Sequence, residues 1–255
     1  MLIINADDWG SSQQITNCIK ECTDRGMVDT VSTMVFMKDS HRAAEIALRE
    51  GMDTALHINF TTPFDGNVES GRLKVSQSRI TAYLKGSKMA QFVYNPLLKK
   101  DFDYVFKAQC DEYLRLYETL PSRLDGHNHM HLCANMLFGD LLPHDIRVRR
   151  NFSFTKGEKN ILNRAYRSFV DKMLQKRYIC TRYFIHIQQI SKKNREQRRW
   201  LLRNLVINSQ LNNVELLVHP HQNPDYDYLL STEFSEAVAQ IPRGNFSVCN
   251  SGRHS

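Results

Sequence analysis

Long apolar runs are missing from this sequence of 255 residues. No stretch approaches the roughly eighteen apolar residues that a membrane-spanning helix needs, so we expect no part of the chain in a membrane. The first residues, Leu2-Ile3-Ile4-Asn5, have the pattern of a strand, without the basic leader and cleavage site of a secretory signal. We therefore expect neither export nor membrane insertion.

Closely spaced cysteine pairs are missing as well. The six cysteines contain no Cys-x-x-Cys motif, and a chain of this size does not need disulfides in order to fold. Cys18 and Cys22 are four residues apart in a helical pattern, a spacing that can ligate a metal but more often lines the inner face of a helix. These features predict buried thiols in a reducing compartment, the cytoplasm.

Basic charge is in moderate excess, with 34 Lys and Arg against 27 Asp and Glu and a formal net charge of +7. Such an excess favours acidic partners. The densest basic stretch, residues 192–199, has helical spacing, but no aromatic residues among its charges that would stack on bases. We interpret it as a solvated helix face and expect no nucleic-acid partner. The oligomeric state stays open, with a homodimer as one option.

The chain alternates short β-branched or apolar runs with longer helical patterns, and no repeat or linker divides it. This alternation predicts parallel strands joined by helices, in a (β/α) barrel or a doubly wound sheet. We favour an α/β fold with a single domain over residues 1–255, a deformed (β/α) barrel. The predicted strands are Leu2–Ala6, Thr30–Phe36, Thr54–Asn59, Ser122–Gly126, Asp145–Arg149, Thr181–Ile187 and Val214–Val218, and the predicted helices lie near 12–25, 40–50, 101–118, 134–142, 157–176, 194–212 and 232–240.

One segment, residues 61–98, interrupts the alternation directly after the third predicted strand. It has only short helical pieces and contains Pro63, Gly66, Gly71, Gly86 and Pro96. Long irregular segments inside compact domains usually have a function, for example as a lid or a substrate groove. We therefore predict a long insertion or lid here.

Residues 124–131, Leu-Asp-Gly-His-Asn-His-Met-His, hold three of the ten histidines. Histidine supplies the neutral nitrogen that divalent metals prefer, and its charge changes near neutral pH. On a strand, Asp125, His127 and His129 face the same side, whereas on a helix His127 and His131 lie one turn apart. Either geometry brings two imidazoles together. A polar surface loop is the alternative, and three histidines at alternate positions beside an aspartate make it the weaker one.

Polar side chains also mark the carboxyl ends of other predicted strands, where the active sites of such folds lie. The first strand leads to Asp7 and Asp8, the third carries His57, and the last leads to His219. Each has a structural alternative, because aspartates can cap a helix, a histidine can be satisfied in the core, and His219 can precede a proline turn. Their joint placement with the histidine run favours one shared site.

Two neighbouring aspartates at such a site can have different roles, since one can bind a metal while the other takes a proton. A metal with one carboxylate and two imidazole ligands keeps open positions for water and a carbonyl oxygen. It eases proton loss from the water and stabilises an oxyanion. These residue types predict metal-assisted hydrolysis with one divalent ion, zinc by preference, although magnesium, manganese, cobalt or nickel fit the same ligands.

Four sequence blocks resemble the YdjC-like carbohydrate deacetylases, the group that includes chitooligosaccharide deacetylase. Residues 5–10, Asn-Ala-Asp-Asp-Trp-Gly, are similar to the family's Asn-Ala-Asp-Asp-Phe-Gly opening, and residues 56–59, Leu-His-Ile-Asn, to its His-Leu-Asn segment. Residues 124–131 resemble its Leu-Asp-Ser-His-x-His-x-His segment, and residues 215–220, Glu-Leu-Leu-Val-His-Pro, its Glu-x-x-x-His-Pro. The order and approximate spacing match over residues 2 to about 222.

The resemblance implies a role for each principal residue. Asp8, His57 and His127 would hold the metal, and Asp7 would be the general base. By analogy with other metal-dependent sugar deacetylases, His219 would be the acid that protonates the leaving amine. The family's deformed (β/α) barrel agrees with the strand count.

Other residues of the four blocks would have supporting or substrate-binding roles. Asp125, two residues before His127, would orient the ring of His127. His129 and His131 would be substrate contacts or supporting groups. Trp9 stands where the family has Phe and would keep an aromatic wall for the sugar.

Two further departures from the family pattern concern side-chain size. Gly126 stands where the family has Ser, and we expect this exchange to be tolerated. His221 stands where family members commonly have Gly, so that a bulkier, titratable group lies beside the last block. This change leaves the preferred substrate open.

The resulting hypothesis is a metal-dependent hydrolase that removes an N-acetyl group from an amino sugar, within an oligosaccharide. One alternative is a metal-dependent phosphoesterase or another amidohydrolase, and phosphoesterases of this kind bind more than one metal. Another is a non-catalytic protein that binds carbohydrate or nucleic acid. A pure binder needs no general base beside a metal, so the paired aspartates favour an enzyme.

Overall fold

The structure, a computed structural model, describes residues 1–153 and 161–246. Strands and helices alternate along these residues, as predicted. The strands are β1 (Leu2–Trp9), β2 (Thr30–Thr33), β3 (Asp53–Ile58), β4 (Arg123–Gly126), β5 (Arg147–Val148), β6 (Tyr183–His186) and β7 (Val214–Val218). The helices are α1 (Gln13–Asp24), α2 (Ser40–Glu50), α3 (Gly71–Gly86), α4 (Lys99–Tyr117), α5 (Ala134–Phe138), α6 (Ile161–Arg177), α7 (Gln188–Ser191), α8 (Arg195–Leu211), α9 (Asn223–Leu229) and α10 (Thr232–Val238).

The strands form a sheet in the order β5-β4-β3-β2-β1-β7-β6. The pairs β1/β7, β3/β4 and β6/β7 are parallel. Every residue of β1 and of β7 is buried, which is typical of parallel strands that are covered on both faces. The predicted α/β class with parallel strands is therefore confirmed.

The chain divides into two compact units. The first contains residues 1–6, residues 17–31 and the chain from residue 147 onward, and the second contains residues 7–16 and 32–146. The single domain over residues 1–255 stays a prediction. No helix within residues 1–153 and 161–246 is long and apolar enough to cross a membrane.

In the first unit, β7 lies between β6 and the start of β1, with Leu2 opposite Val214. A buried ion pair crosses this unit, in which Arg149 Nε donates to Glu215 Oε1 over 2.8 Å. The chain beyond β5 runs beside β6, because the Ser153 N–H donates to the Phe184 carbonyl over 2.7 Å. This packing fixes the ends of β6 and β7.

In the second unit, β3 and β4 pair with His57 opposite Asp125. The segment 61–98 of this unit contains α3, a helix of 16 residues whose N-cap Ser70 accepts a hydrogen bond from the Leu73 N–H. The prediction of only short helical pieces there was wrong. The buried face of α3 includes Ser76 and Gln77 beside its leucines, so its apolar periodicity is weak. The role of this segment as a lid stays a prediction.

Other differences from the prediction concern the ends of elements. β1 continues to Trp9, three residues beyond the predicted end, and β5 has only two of its five predicted residues. Asp145 lies outside β5 and has a φ of 59°, in the left-handed region that regular strands do not use. The predicted helix 134–142 ends at Phe138. Residues 157–160 of the predicted helix 157–176 lie outside the described residues.

Candidate active site

The end of β1 supplies two consecutive carboxylates, both buried. Asp8 has a φ of 71°, in the left-handed region that residues other than glycine rarely adopt. Consecutive side chains of a regular strand point to opposite faces. Here, however, His57 Nε2 lies 3.7 Å from Asp7 Oδ2 and 3.4 Å from Asp8 Oδ1. The unusual backbone at Asp8 thus accompanies the convergence of both carboxylates on one imidazole.

His57 is held from its other side by Asp125. The two residues face each other across the β3/β4 pair, and His57 Nδ1 lies 2.7 Å from Asp125 Oδ1. Ser32 Oγ donates to the second Asp125 oxygen over 2.5 Å. Asp125 was predicted to orient His127, and that role stays a prediction beside the observed contact with His57. The pairing of two strands, which sequence spacing does not reveal, gives this carboxylate to His57.

The histidine run forms neither a continued strand nor an α-helix. β4 ends at Gly126, and residues 127–132 form a 3-10 helical segment in which Asn128 and His129 have φ angles of 54° and 59°. His127 Nδ1 lies 2.9 Å from Asp8 Oδ1. The run therefore contributes one imidazole to the carboxylates of β1.

The second unit thus holds a group of side chains that fits a divalent metal. One ligand atom each from Asp8, His57 and His127 lies within 4.8 Å of the others. One carboxylate and two imidazoles are a common donor set for zinc. The contact between His57 Nδ1 and Asp125 is the outer hydrogen bond that metal-ligating histidines make. The residues predicted as metal ligands are therefore close enough to act together.

The charges of these buried aspartates and histidines affect the pKa values of their neighbours. Burial lowers the pKa of His57, whereas the charges of Asp7 and Asp125 and hydrogen bonds to Asp125 and Asp8 raise it, and the resulting pKa is about 10. Burial raises the pKa of Asp8, but hydrogen bonds and charges of His127 and His57 outweigh this effect and hold it well below the usual value. Without a metal, a proton on His57 balances part of the carboxylate charge.

Two predicted substrate contacts are buried. Trp9 is fully buried, and its Nε1–H donates to the Ala43 carbonyl over 3.1 Å. It packs in the core, and its predicted role as an aromatic wall for a sugar stays a prediction. His131 is also fully buried, which leaves it a supporting role. His129 is half-buried, with its ring centroid 6.4 Å from that of His131.

His131 also explains why position 126 is glycine. A Cβ at Gly126 would lie 2.9 Å from the backbone nitrogen and from Nδ1 of His131, closer than side chains normally approach. The expectation that the exchange between Gly and Ser is tolerated here is therefore corrected. In this chain, the 3-10 segment occupies the space of that side chain.

His219 belongs to the first unit, where it lies with two residues that the sequence analysis missed. His186 Nε2 is 3.1 Å from His219 Nδ1, and Asp225 Oδ2 is 3.8 Å from each of these nitrogens. These atoms also lie close enough to hold a metal ion. His186 is the last residue of β6, so the strand-end signal that selected His219 was present there too. The ring of His221 packs edge-on against His219 at 5.7 Å.

The comparison with known proteins decides the family. The sequence profile of the YdjC-like protein family matches residues 1–240. The chain belongs to this family. Two relatives of this YdjC-like protein are named carbohydrate deacetylase. The one from Vibrio parahaemolyticus is 32% identical over 148 residues, 53% of this chain and 52% of that protein, and the one from Danio rerio is 27% identical over 138 residues, 53% of this chain and 43% of that protein.

The matched region spans about half the length, or less, of those curated relatives. The YdjC-like chain also resembles a crystal structure from Enterococcus faecalis V583, of a protein proposed to cleave cellobiose phosphate. The TM-score is 0.64 at 16% sequence identity, and the match covers 96% of this chain and 97% of that chain. This similarity concerns the fold, and it confirms the predicted α/β barrel class.

Proposed function

We propose that this protein is a metal-dependent hydrolase that removes an N-acetyl group from an acetylated amino sugar, within an oligosaccharide. Membership of the YdjC-like family and the names of its relatives support deacetylation. The observation that carries the proposal is the group of Asp8, His57 and partly exposed His127, with Asp7 as a second carboxylate 3.7 Å from His57. A metal bound there, with a carboxylate base beside it, would supply what metal-assisted hydrolysis of an amide uses.

Asp8, His57 and His127 would hold one divalent ion, zinc by preference. When bound, the ion supplies Lewis-acid chemistry, which polarises the acetyl carbonyl and eases the loss of a proton from water. Asp125 supports this set because it holds the ring of His57 through Nδ1, which leaves Nε2 as the ligand atom.

Proton transfer would involve two residues. Asp7 takes a proton from the attacking water, whose oxygen forms a bond to the acetyl carbon. His219 gives a proton to the sugar nitrogen as the carbon–nitrogen bond breaks, so that acetate and a free amine leave. His129 is a proposed substrate contact.

The direct test is release of acetate from short N-acetylglucosamine oligomers. We expect activity with added metal, loss of activity after chelation, and recovery on adding the metal back. A protein with full metal occupancy that releases no acetate from a broad panel of acetylated sugars would refute the proposal.

Metal stoichiometry distinguishes the competing enzyme class. One tightly bound ion supports deacetylation, and two or more favour a phosphoesterase. We further propose a cytoplasmic protein whose partner is the sugar substrate, without a nucleic-acid or membrane partner. A homodimer stays one option for the oligomeric state. Steeply salt-dependent binding of nucleic acid without hydrolysis would instead support a binding protein.

A further inference from the structure

The ends of β6 and β7 bring two histidines into stacking contact. His186 is the last residue of β6, and His219 follows the last residue of β7 directly. The strands are parallel neighbours with His186 opposite Leu217. The two imidazole rings lie 5.2 Å apart at an angle of 26°. Both residues belong to the first unit, so strand pairing within that unit fixes their contact.

The backbone at Gln188 determines where His186 carries its proton. The Gln188 N–H donates to His186 Nδ1 over 3.0 Å. A ring nitrogen that accepts a hydrogen bond has no proton, so neutral His186 carries its proton on Nε2. That Nε2 lies 3.1 Å from His219 Nδ1. His186 therefore donates and His219 accepts, which places the proton of neutral His219 on its own Nε2.

Asp225 provides for the charged form of His219. It is fully buried, and it accepts hydrogen bonds from the His219 backbone N–H over 2.9 Å and from the Gln188 side chain over 2.6 Å. Burial raises the pKa of Asp225, but hydrogen bonds from His219 and Gln188 outweigh this effect and lower it, so the carboxylate is ionised. A second proton on His219 Nδ1 would face this carboxylate, whose Oδ2 lies 3.8 Å away. Nε2 of His219 thus keeps a proton in both protonation states.

The same atoms satisfy the distance criterion for a metal site, but their hydrogen bonds disfavour one. A metal on His186 Nε2 would displace the proton of that nitrogen. The displaced proton has no place on Nδ1 while the Gln188 N–H donates there. Metal binding would therefore break this bond or create an imidazolate.

We propose that His186 is a positioning residue that, with Asp225, keeps a proton on Nε2 of His219 and fixes the orientation of its ring. The proposal rests on the proposed function, in which His219 protonates the leaving nitrogen. His186 itself then acts only through His219.

Two substitutions separate the hydrogen bond from the ring packing. His186→Phe keeps an aromatic ring but has no donor, whereas His186→Gln supplies an amide N–H. We expect His186→Phe to lower kcat for an N-acetyl sugar about 100-fold, the low end of the general-acid contribution, with KM unchanged. His186→Gln should recover most of this loss. His144→Phe, at an exposed histidine, is the matched control and should leave kcat unchanged.

Substrates with different leaving groups show which step of the reaction depends on His186. An aryl acetate releases a phenolate, which needs no proton, so we expect His186→Phe to hydrolyse this ester at close to the rate of the unchanged protein. An equal loss of rate with the amide and the ester would overturn the proposal. So would a second bound zinc ion that His186→Phe removes.

Nitrogen NMR of the imidazole rings tests the proposal without any activity. We expect the proton of neutral His219 on Nε2 in the unchanged protein, and a mixture of both forms in His186→Phe. A proton on Nδ1 of neutral His219 in the unchanged protein would overturn the proposal. A protein without deacetylase activity but with the expected NMR signals would instead refute the proposed function alone.

Discussion

His57 is surrounded by carboxylates, with Asp125 at its Nδ1 and Asp7 and Asp8 near its Nε2. A buried imidazole in this position binds either a proton or a metal ion, since both reduce the same negative charge. The role of each aspartate therefore follows from which side of the ring it faces. Asp125 holds the ring, Asp8 is placed to share a metal with it, and we propose Asp7 as the carboxylate for proton transfer.

Replacement of Asp7 by Asn tests the proposed base. We expect Asp7→Asn to bind metal and to lose roughly 10²- to 10⁴-fold in kcat, the usual contribution of general acid–base catalysis. Acetate release and metal content are measured on the same sample. Asp103→Asn, at an exposed ion pair on α4, is the control. Full activity in Asp7→Asn would show that the base is another residue.

The pKa of about 10 for His57 predicts that metal binding depends on pH. The metal-free protein carries a proton on His57 below that pH, and the metal must displace it. Metal affinity should therefore rise as the pH increases toward 10 and level off above it. Titration calorimetry in buffers of different ionisation enthalpy should detect proton release at neutral pH. Binding without proton release would contradict a protonated His57.

Replacement of Asp125 tests the outer hydrogen bond. Asp125→Asn keeps the size of the side chain but removes the charge that holds His57 Nδ1. We expect metal affinity to fall about 10- to 100-fold, as for other outer partners of ligating histidines. Competition with a chelator measures it. Asp24→Asn, at an exposed residue of α1, should bind metal normally. Unchanged affinity in Asp125→Asn would show that the ring is held by its packing.

Among the elements, the 3-10 segment after β4 determines how the histidine run is used. Its two residues with positive φ turn the chain away from the line of the strand. His127 then reaches Asp8, and His131 enters the core against Gly126. The histidines of the run therefore differ in role. His127 lies with Asp8 and His57, whereas His131 is packed in the core.

Replacement of Gly126 tests this packing. We expect Gly126→Ala to lower the free energy of unfolding by about 1–3 kcal/mol, the usual cost of an overpacked site, and to weaken metal binding. Denaturant unfolding and chelator competition measure the two effects. Gly71→Ala, at the start of α3 where a Cβ would meet no atom within 4 Å, is the control and should not destabilise the protein. Equal stability of both variants would contradict the crowding at Gly126.

For the whole molecule, we expect metal binding and folding to be linked, because Asp8, His57 and His127 come from three separate parts of the chain. An unfolded chain does not hold these ligands together, so an ion would bind mainly to the folded protein.

Zinc should therefore raise the stability of the whole protein. At a free concentration of about 100 times Kd, the expected gain in the free energy of unfolding is about 2.7 kcal/mol. Thermal unfolding with zinc and with chelator measures it. Asp8→Ala should abolish the shift, and Asp7→Asn should keep it. A shift that persists in Asp8→Ala would place the ion elsewhere.

Local features of the sequence sufficed for the alternation of elements and for most of the metal group. A strand has its own apolar pattern, and parallel strands present their carboxyl ends at one edge, so Asp8, His57 and His127 were identifiable one by one. α3 was missed because polar Ser76 and Gln77 are part of its buried face. His186 was missed although it lies near the end of the predicted strand Thr181–Ile187, because its partner His219 is 33 residues further along the chain.

The sequence alone indicated which kinds of side chain lie near each strand end, and hence the type of chemistry. This information depends only on the order of neighbouring residues. The sequence did not indicate the partners of those side chains. Asp125 serves His57 through strand register, and Asp8 and Asn128 adopt backbone angles that local preference disfavours. Trp9 and His131 are buried in the core. Such contacts join residues that are far apart in the chain, so tertiary packing, which can offset the cost of strained angles, selects them.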